Sequence, residues 1–204
     1  MNDIYQKRYI AHQAKKKEQL AHSVGSPYEK HSEANFEALR GILESRRSQR
    51  IYNKEEITED EINKLLDLAR KAPSSCNRHG IKLLTVMAQD DKDLLTGLLV
   101  GGIGWVHRAQ IIILFMADET AYKSPNEKDF MHYCDVGFLA SYIWLTAESL
   151  NIGAAYINPN IRNTNKSIFQ ERFGDGIFCG ALALGKYDLK ALEPDYPSVD
   201  ELML

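Results

Sequence analysis

The sequence has little of what marks a membrane, secreted or nucleic-acid-binding protein. Its longest mainly apolar stretch, residues 109–117, is too short to cross a bilayer, and the residues after Met1 do not begin a signal peptide. The net charge is -3 and the pI is near 6.1, whereas a nucleic-acid surface normally shows a basic excess. We therefore expect a cytoplasmic protein whose partners include neither a membrane nor nucleic acid.

Cysteine is also scarce, because the chain has only Cys76, Cys134 and Cys179. Their odd number and wide spacing argue against a disulfide framework and a zinc cluster, and favour free thiols. His132 and Cys134 lie two positions apart in a predicted helix, where they would face different directions and could not bind one metal ion together. We expect no metal site.

The length limits the number of domains. A chain of 204 residues, 44% hydrophobic and 26% charged, can bury one substantial core but not two ordinary domains and a linker. Residues 1–35 are polar and are broken near residues 25–27, which predicts an N-terminal helical extension or an arm. Residues 36–188 form the predicted main domain. Residues 189–204, with two prolines and an acidic end, predict an extended C-terminal tail.

Hydrophobic periodicity predicts both helices and strands. Thr58 and Glu61 form a capping box that starts a helix, and Pro73 marks its end. Residues 129–151 are apolar around most of a helical circumference, so we expect a buried helix with Gly153 as its left-handed cap. The other predicted helices cover residues 36–43, 92–99 and 164–172, and the predicted strands cover residues 81–88, 109–115 and 177–184.

This order of elements predicts an α+β sandwich around a small mixed sheet. Two features favour a homodimer, namely a helix that is apolar nearly all round and terminal extensions with little to bury on their own. The glycine-rich run at residues 101–104 is not a dinucleotide-binding fingerprint, because it follows a helical pattern and lacks the third glycine at the required offset. His107 is expected in a structural or loop role.

A dense set of hydrogen-bond donors lies just after the first amphipathic helix. Guanidinium groups grip phosphate oxygens in pairs and keep their charge at any physiological pH. The run therefore fits a phosphate or another oxyanion, although a basic run of this length also occurs as a solvated face. Its donors are Ser45, Arg46, Arg47, Ser48 and Arg50.

A second candidate stretch lies beyond one intervening helix, at residues 72–77. Its sequence, Ala-Pro-Ser-Ser-Cys-Asn, presents Asn77 on a loop where the helix ends. Loops set on rigid elements commonly carry ligand contacts, but an isolated asparagine in a turn also bonds to its own backbone. The sequence leaves both roles open for Asn77.

These two stretches, at this separation, resemble the opening signature of the FMN-dependent nitroreductase family. The resemblance spans roughly residues 40–187. It implies a nitroreductase-like α-β-α sandwich and a domain-swapped homodimer, with two FMN molecules held at the interface by residues of both chains. The positions that carry it are residues 44–52, 57–72, 72–77, 135–137, 150–153 and 181–185, together with a buried strand at Ile111.

The resemblance also implies roles for single residues. Arg46, Arg47 and Ser48 match positions that hold the FMN phosphate and ribityl chain in the family. Arg50 matches a basic residue near the N1 and O2 edge of the flavin ring, where a fixed cation stabilises the reduced flavin. The remaining matches are Pro73, Ser74 and Asn77, in a loop that reaches the flavin from the other subunit, and Tyr156, Ile157 and Asn158, in a segment whose backbone amides approach flavin N5.

Three features depart from the family pattern. His79 stands where many members have Gln, and Asn158 lies where many have a Glu-Gly pair. The basic residue that completes the phosphate site has no clear match. Lys186 and Lys190 are the nearest candidates, and we assign Lys186 to the cofactor site.

The resemblance implies an oxidoreductase that uses NAD(P)H and FMN to reduce nitroaromatics, quinones or enones by a ping-pong hydride mechanism. No general acid is required, since solvent can protonate the products, and the sequence shows no compelling catalytic histidine or carboxylate pair. Two alternatives stay open. One is a specialised member that catalyses reductive dehalogenation or flavin-consuming chemistry, and the other is a non-catalytic flavin-binding module, which the altered positions His79 and Asn158 suggest.

Overall fold

The computed structural model describes residues 3–23, 25, 29–123 and 126–203. The predicted break at residues 25–27 falls mainly outside this part of the chain. No helix in the described part is long and apolar enough to cross a membrane. The described residues form helices α1 (Asp3–His22), α2 (Glu33–Ser45), α3 (Glu59–Ala69), α4 (Gln89–Leu98), α5 (Met131–Ser149) and α6 (Lys166–Phe173), and strands β1 (Ile81–Val86), β2 (Ile111–Ala117), β3 (Gly153–Ile157) and β4 (Ile177–Gly185).

The four strands form one sheet in the order β1-β2-β4-β3, and every neighbouring pair is antiparallel. The expectation of a mixed sheet is therefore wrong for the strands themselves. Among the described residues, the parallel pairing is an isolated bridge between Ser48 and Ala154. All residues of β2 are buried, which confirms the central strand predicted from its unbroken apolar run.

Helices cover both faces of the sheet. Alternate side chains of β2 point to opposite faces, so Ile111 and Ile113 pack with α1, α3 and α5, whereas Ile112 and Leu114 pack with α4 and α6. The result is a three-layer α-β-α sandwich with the sheet in the middle. The predicted α+β class and layer architecture are confirmed.

Helix α3 begins as the sequence predicts. The backbone N–H of Glu61 donates to Thr58 Oγ1 at 3.3 Å, and the backbone N–H of Thr58 donates to Glu61 Oε2 at 2.9 Å. The helix ends at Ala69, and a short turn leads to Pro73. The capping box therefore fixes where this helix starts, and the loop after it starts from a rigid element.

The long helix α5 is buried on one face only. Val136 and Ile143 pack toward the sheet, but Phe138 and Tyr142 on other faces are 51% and 40% exposed. The expectation of a helix buried all round is wrong for a single chain, because the helix packs on the sheet and on α3, while Phe138 and Tyr142 stay exposed in the described part of the chain. An apolar face is left uncovered.

The turn after α5 also differs from the prediction. Asn151, rather than Gly153, adopts the left-handed conformation, with φ of 56°. Gly153 is instead the first residue of β3, where a Cβ atom would lie 2.5 Å from Gln49 Cγ. Glycine at this position allows the segment around Gln49 to lie directly against the sheet.

Both terminal extensions are docked on the domain. Helix α1 is mostly exposed, and its buried residue is Tyr5, which is 1% exposed and donates its hydroxyl to Asp118 Oδ2 at 2.9 Å. The tail is extended up to a short turn at Asp200–Leu202, and its final residue, Leu204, lies outside the described part. Gln49 holds the tail, because its side chain bonds the backbone of both Leu189 and Ala191 at 2.9 Å.

Candidate functional site

The basic segment after α2 is fixed along the open edge of β3. Ser48 pairs with Ala154, and the backbone N–H of Gln49 donates to the Ala154 carbonyl at 2.9 Å. The buried Gln49 side chain also donates to the Ile51 carbonyl at 2.7 Å. The segment is therefore attached to the sheet through its centre, and the flanking arginines have defined positions.

Beyond this bridge, backbone groups of β3 stay open at the sheet edge. The Ala154 carbonyl points away from the sheet and accepts from Gln49. Leu184 lies opposite Ala154 on β4, and its carbonyl points the other way, toward β2, where it accepts from the Gln110 backbone N–H. Because inward and outward groups alternate along an antiparallel strand, the backbone of Tyr156 also points outward. No described backbone group pairs with it there, so the edge offers one donor and one acceptor to a ligand.

Two guanidinium groups lie beside this edge without a counterion. Arg46 is half-buried, with its guanidinium carbon 4.6 Å from the centre of the Trp144 ring, and Arg50 is exposed, 5.5 Å from the ring of Trp105. Neither forms an ion pair with a described residue. Stacking on aromatic faces orients both cations and leaves their charge available.

Arg47 is engaged within the chain. It donates through Nη1 to the carbonyl of Glu44 at 2.6 Å, and its Nη2 lies 3.3 Å from Glu193 Oε1 in the tail. Its side chain is 11% exposed. Its contacts therefore tie the basic segment to the tail.

Lys186 is engaged as well. Its Nζ lies 2.5 Å from Glu61 Oε1, and this hydrogen bond holds the pKa of Glu61 below its usual range. Lys190 pairs with Glu148 at 2.9 Å. In this conformation neither lysine is free beside Arg46, and their cofactor role stays a prediction.

The loop after α3 has an unusual backbone. Cys76, Asn77 and His79 adopt φ of 49°, 56° and 53°, a left-handed region that is uncommon for residues other than glycine. The backbone N–H of His79 donates to Ser74 Oγ at 3.0 Å, and His79 Nε2 lies 2.9 Å from Asn77 Oδ1. Pro73 and Asn77 are exposed, Ser74 and His79 half-buried.

Arg78 anchors this loop from inside the protein, a role that no sequence pattern indicated. The side chain is 0% exposed, and it donates to the Ser75 carbonyl at 3.0 Å and to Ser75 Oγ at 2.6 Å. It also pairs with Glu127 at 2.8 Å and lies over the ring of Tyr122. A buried guanidinium with these partners fixes the loop conformation.

Asp135 of α5 supplies a second anchor. Its Oδ1 accepts from the Ser75 backbone N–H at 2.8 Å, and its Oδ2 accepts from the Tyr122 hydroxyl at 3.0 Å. Burial raises the pKa of Asp135 and, with the neighbouring carboxylate, that of Tyr122. Both oxygens point into the protein, so this carboxyl orients the loop and is unavailable as a general base.

The two candidate stretches do not meet within one chain. Arg46 stacks on Trp144 of α5, whereas Ser75 bonds to Asp135 nine residues earlier on the same helix. Nine residues correspond to about 13 Å along the axis and to half a turn around it. The basic segment lies beside Ala154, close to Tyr156 in sequence, while the loop lies on another side of α5.

Each stretch borders its own cleft. A cleft of about 520 Å³ lies at the loop and is lined by Arg8, Pro73, Asn77, His79 and Leu139, among others. Another of about 610 Å³ lies beside the basic segment and is lined by Leu43, Glu44, Arg46, Arg47, Glu193 and Tyr196. In the β3 segment Ile157 is buried toward α4 and α6, and Asn158 is exposed.

Comparison with known proteins agrees with this architecture. The model of the nitroreductase family matches residues 43–103, which contain both the basic segment and the loop after α3. The chain is therefore similar to the nitroreductase family over less than a third of its length. A curated relative of the chain, an FMN reductase [NAD(P)H] from Bacillus subtilis (strain 168), is 30% identical over 76 residues, which are 37% of this chain and 30% of the relative. The matched region thus spans under a third of that relative.

Solved structures share the fold of this protein over most of its length. A protein described as a nitroreductase, crystallised with FMN, from Desulfovibrio desulfuricans has a TM-score of 0.70 at 24% identity, over 81% of this chain and 95% of that one. An FMN-dependent nitroreductase from Clostridium difficile R20291 has a TM-score of 0.64 at 25% identity, over 80% and 94%. Nitroreductase A from Vibrio parahaemolyticus has a TM-score of 0.68 at 20% identity, over 78% and 72%.

Proposed function

We propose that this protein is an FMN-dependent oxidoreductase that uses NADH or NADPH to reduce small organic acceptors such as nitroaromatics, quinones or enones in a ping-pong reaction. The observation that carries the proposal is the pairing of two free guanidinium groups, of Arg46 and Arg50, with an open backbone edge at Tyr156. The names of the similar proteins point to the same cofactor and donor.

The chemistry of the donor set fits FMN. A phosphate needs charge-assisted donors, which Arg46 provides beside the hydroxyl of Ser48. The polar edge of a flavin ring needs a fixed cation and backbone hydrogen-bonding groups, which Arg50 and the β3 edge at Tyr156 and Asn158 provide. FMN, when bound, supplies two-electron transfer between a nicotinamide donor and the acceptor.

The remaining predicted residues would act from the loop. His79 Nε2 lies 2.9 Å from Asn77 Oδ1, and burial together with the charge of Arg8 lowers the pKa of His79. Because Oδ1 is an acceptor, the ring donates to it from Nε2. This bond orients the Asn77 amide so that its NH₂ group is free to donate. Pro73 and Ser74 form the start of this loop.

The geometry also supports a homodimer with composite sites. The basic segment and the loop lie on different sides of α5, so the loop of one chain can complete the site that the basic segment of another begins. The exposed apolar face of α5 includes Tyr133, Phe138 and Tyr142, and α2 exposes Phe36 and Leu39. Such a face marks a protein interface. A domain-swapped dimer would bury the exposed apolar residues of both α5 and α2.

The products would take protons from solvent. The hydroxyl of Tyr156, the ionisable side chain next to the open edge, donates inward to the Cys179 carbonyl at 2.6 Å. Burial raises the pKa of Tyr156 to about 12, so it does not exchange protons with a substrate near neutral pH. The residues of the site thus bind and orient, and none is required as an acid.

A flavin titration with anaerobic reduction tests the proposal. Purified protein should bind FMN, sediment as a dimer and lose its yellow colour when NADH or NADPH is added under nitrogen, then regain it when a quinone is added. Flavin that binds but never bleaches would identify the non-catalytic module instead. Protein that cannot be loaded with FMN would contradict both. Halide release from a halogenated acceptor would identify the specialised alternative.

A further inference from the structure

Helix α1 packs directly against the loop that follows α3. Arg8 donates through Nη1 to the carbonyl of Arg78 at 3.0 Å, and Gln13 Nε2 lies 4.0 Å from Cys76 Sγ. Tyr5 secures the start of the helix through its buried ring and its bond to Asp118. The N-terminal extension is therefore part of the wall around the loop.

The extension brings a free charge into the loop cleft. Arg8 lines this cleft, and it forms no ion pair with any residue in the described part of the chain. Arg70 also lines the cleft but is paired with Asp67 at 2.7 Å. Asp135, the acidic residue of the lining, has both oxygens occupied by internal donors. The guanidinium of Arg8 therefore has no counterion within the cleft.

The rest of the lining is partly apolar. Pro73, Ile81, Leu83 and Leu139 contribute apolar surface to the same cleft of about 520 Å³. Lys82 also lines the cleft and lies over the ring of Tyr5, so Arg8 is not its sole cation without a carboxylate partner among the described residues. A cavity with apolar walls and uncompensated positive charge suits a planar organic molecule that carries an anionic group. The donors of Arg8 other than Nη1 remain for such a group.

We propose that Arg8 is a specificity residue that binds the carboxylate of a planar organic acceptor in the loop cleft. The inference rests on the proposed function, because it assigns a substrate class to the same site. Arg8 would form a charge-assisted hydrogen bond to the carboxylate while the apolar walls hold the ring. Helix α1 thus sets which acceptors the enzyme prefers.

The test compares 4-nitrobenzoate with 4-nitrobenzamide, which has a similar shape and no charge. Calorimetric titration of each compound into the FMN-loaded protein, without nicotinamide donor, measures binding apart from turnover. Wild-type protein should bind the benzoate more tightly than the amide. In Arg8→Gln the benzoate affinity should fall about tenfold to a hundredfold, as expected for one charge-assisted hydrogen bond, with amide affinity unchanged. KM for the benzoate should rise in parallel.

Two further variants test whether Arg8 binds the carboxylate or only packs against the loop. Lys7→Gln removes an equal charge from the next position of α1, where Lys7 pairs with Asp3 in solvent, and should leave the preference intact. Arg8→Lys keeps the charge and should restore part of the benzoate affinity. A merely structural role of Arg8 would weaken both ligands equally and would overturn the proposal.

The outcomes also distinguish this inference from the proposed function. Equal affinity for the two compounds in wild-type protein, or a rise in KM in Arg8→Gln that affects only NADPH or NADH, would overturn the role of Arg8 in acceptor binding. Flavin loading and bleaching would be intact in either case. Failure to load FMN would instead overturn the proposed function itself.

Discussion

Arg46 and Arg78 are the same residue type in opposite environments. Arg78 is 0% exposed and uses its donors on Ser75 and on Glu127. Arg46 lies at the surface over Trp144 and has no carboxylate partner in the described part of the chain. Arg46 lies in the basic segment, and Arg78 directly follows the second candidate stretch at residues 72–77.

Arg78 is a structural residue that holds the loop in place, whereas Arg46 is a candidate ligand-binding residue. Burying a guanidinium is costly unless partners satisfy it, so Arg78 and its partners act as one rigid unit that sets the loop. A half-buried guanidinium held on an aromatic ring, as in Arg46, contributes less to folding and keeps its donors for a ligand. The two arginines should therefore respond in opposite ways to the same substitution.

The largest expected effect belongs to Arg78→Ala. Removing one partner of a buried ion pair leaves Glu127 uncompensated and the loop without its anchor, and it should cost about 3–5 kcal/mol of unfolding free energy. Urea denaturation followed by circular dichroism measures the loss. The matched control is Arg70→Ala, an exposed arginine paired with Asp67, which should cost about 1 kcal/mol or less. Equal losses in both variants would show that Arg78 is not an anchor.

Arg46→Ala should have an intermediate effect, on ligand binding rather than on folding. Losing a charge-assisted hydrogen bond to the FMN phosphate should weaken FMN binding by about 1.5–3 kcal/mol, with little change in the urea midpoint. Fluorescence titration of FMN measures the affinity. Arg40→Ala, on the exposed side of α2 where Arg40 pairs with Glu44, is the control. Unchanged FMN affinity in Arg46→Ala would falsify the phosphate assignment.

Local signals in the sequence predicted those elements whose cause is local. The capping box at Thr58 starts α3, and the unbroken apolar run gives the buried strand β2. Each depends on neighbours within a few residues. The sandwich followed from their order, whereas the antiparallel pairing of the strands depends on distant contacts that periodicity does not report.

The features that the sequence did not predict depend on long-range partners. From the sequence alone, Arg78 would be expected at the surface, because its partner Glu127 lies far along the chain and only the fold brings the two residues together. Arg8 reaches the loop for the same reason, from a helix whose composition is polar. The uncovered face of α5 has another cause. Its pattern predicts burial on all sides, but a single chain leaves Phe138 and Tyr142 exposed.

The smallest expected effect concerns Lys186, which is less buried than Arg78 and more buried than Arg46. Lys186 lowers the pKa of Glu61, so the ion pair stabilises the folded protein above pH 4.5, the ordinary pKa of a glutamate. This stabilisation is lost as the pH falls. Glu61→Gln keeps the capping box at Thr58, since glutamine serves there as well, and removes only the ion pair.

At neutral pH this variant should lose about 1 kcal/mol, and the loss should shrink as the solution is acidified, because the wild-type carboxylate becomes protonated too. Urea midpoints measured across that range provide the check, and a difference that does not change with pH would contradict the pairing. The same variant frees the Lys186 ammonium. Tighter FMN binding in Glu61→Gln would then mean that Lys186 can turn to the phosphate and join Arg46, whereas unchanged binding would leave it as a structural cation like Arg78.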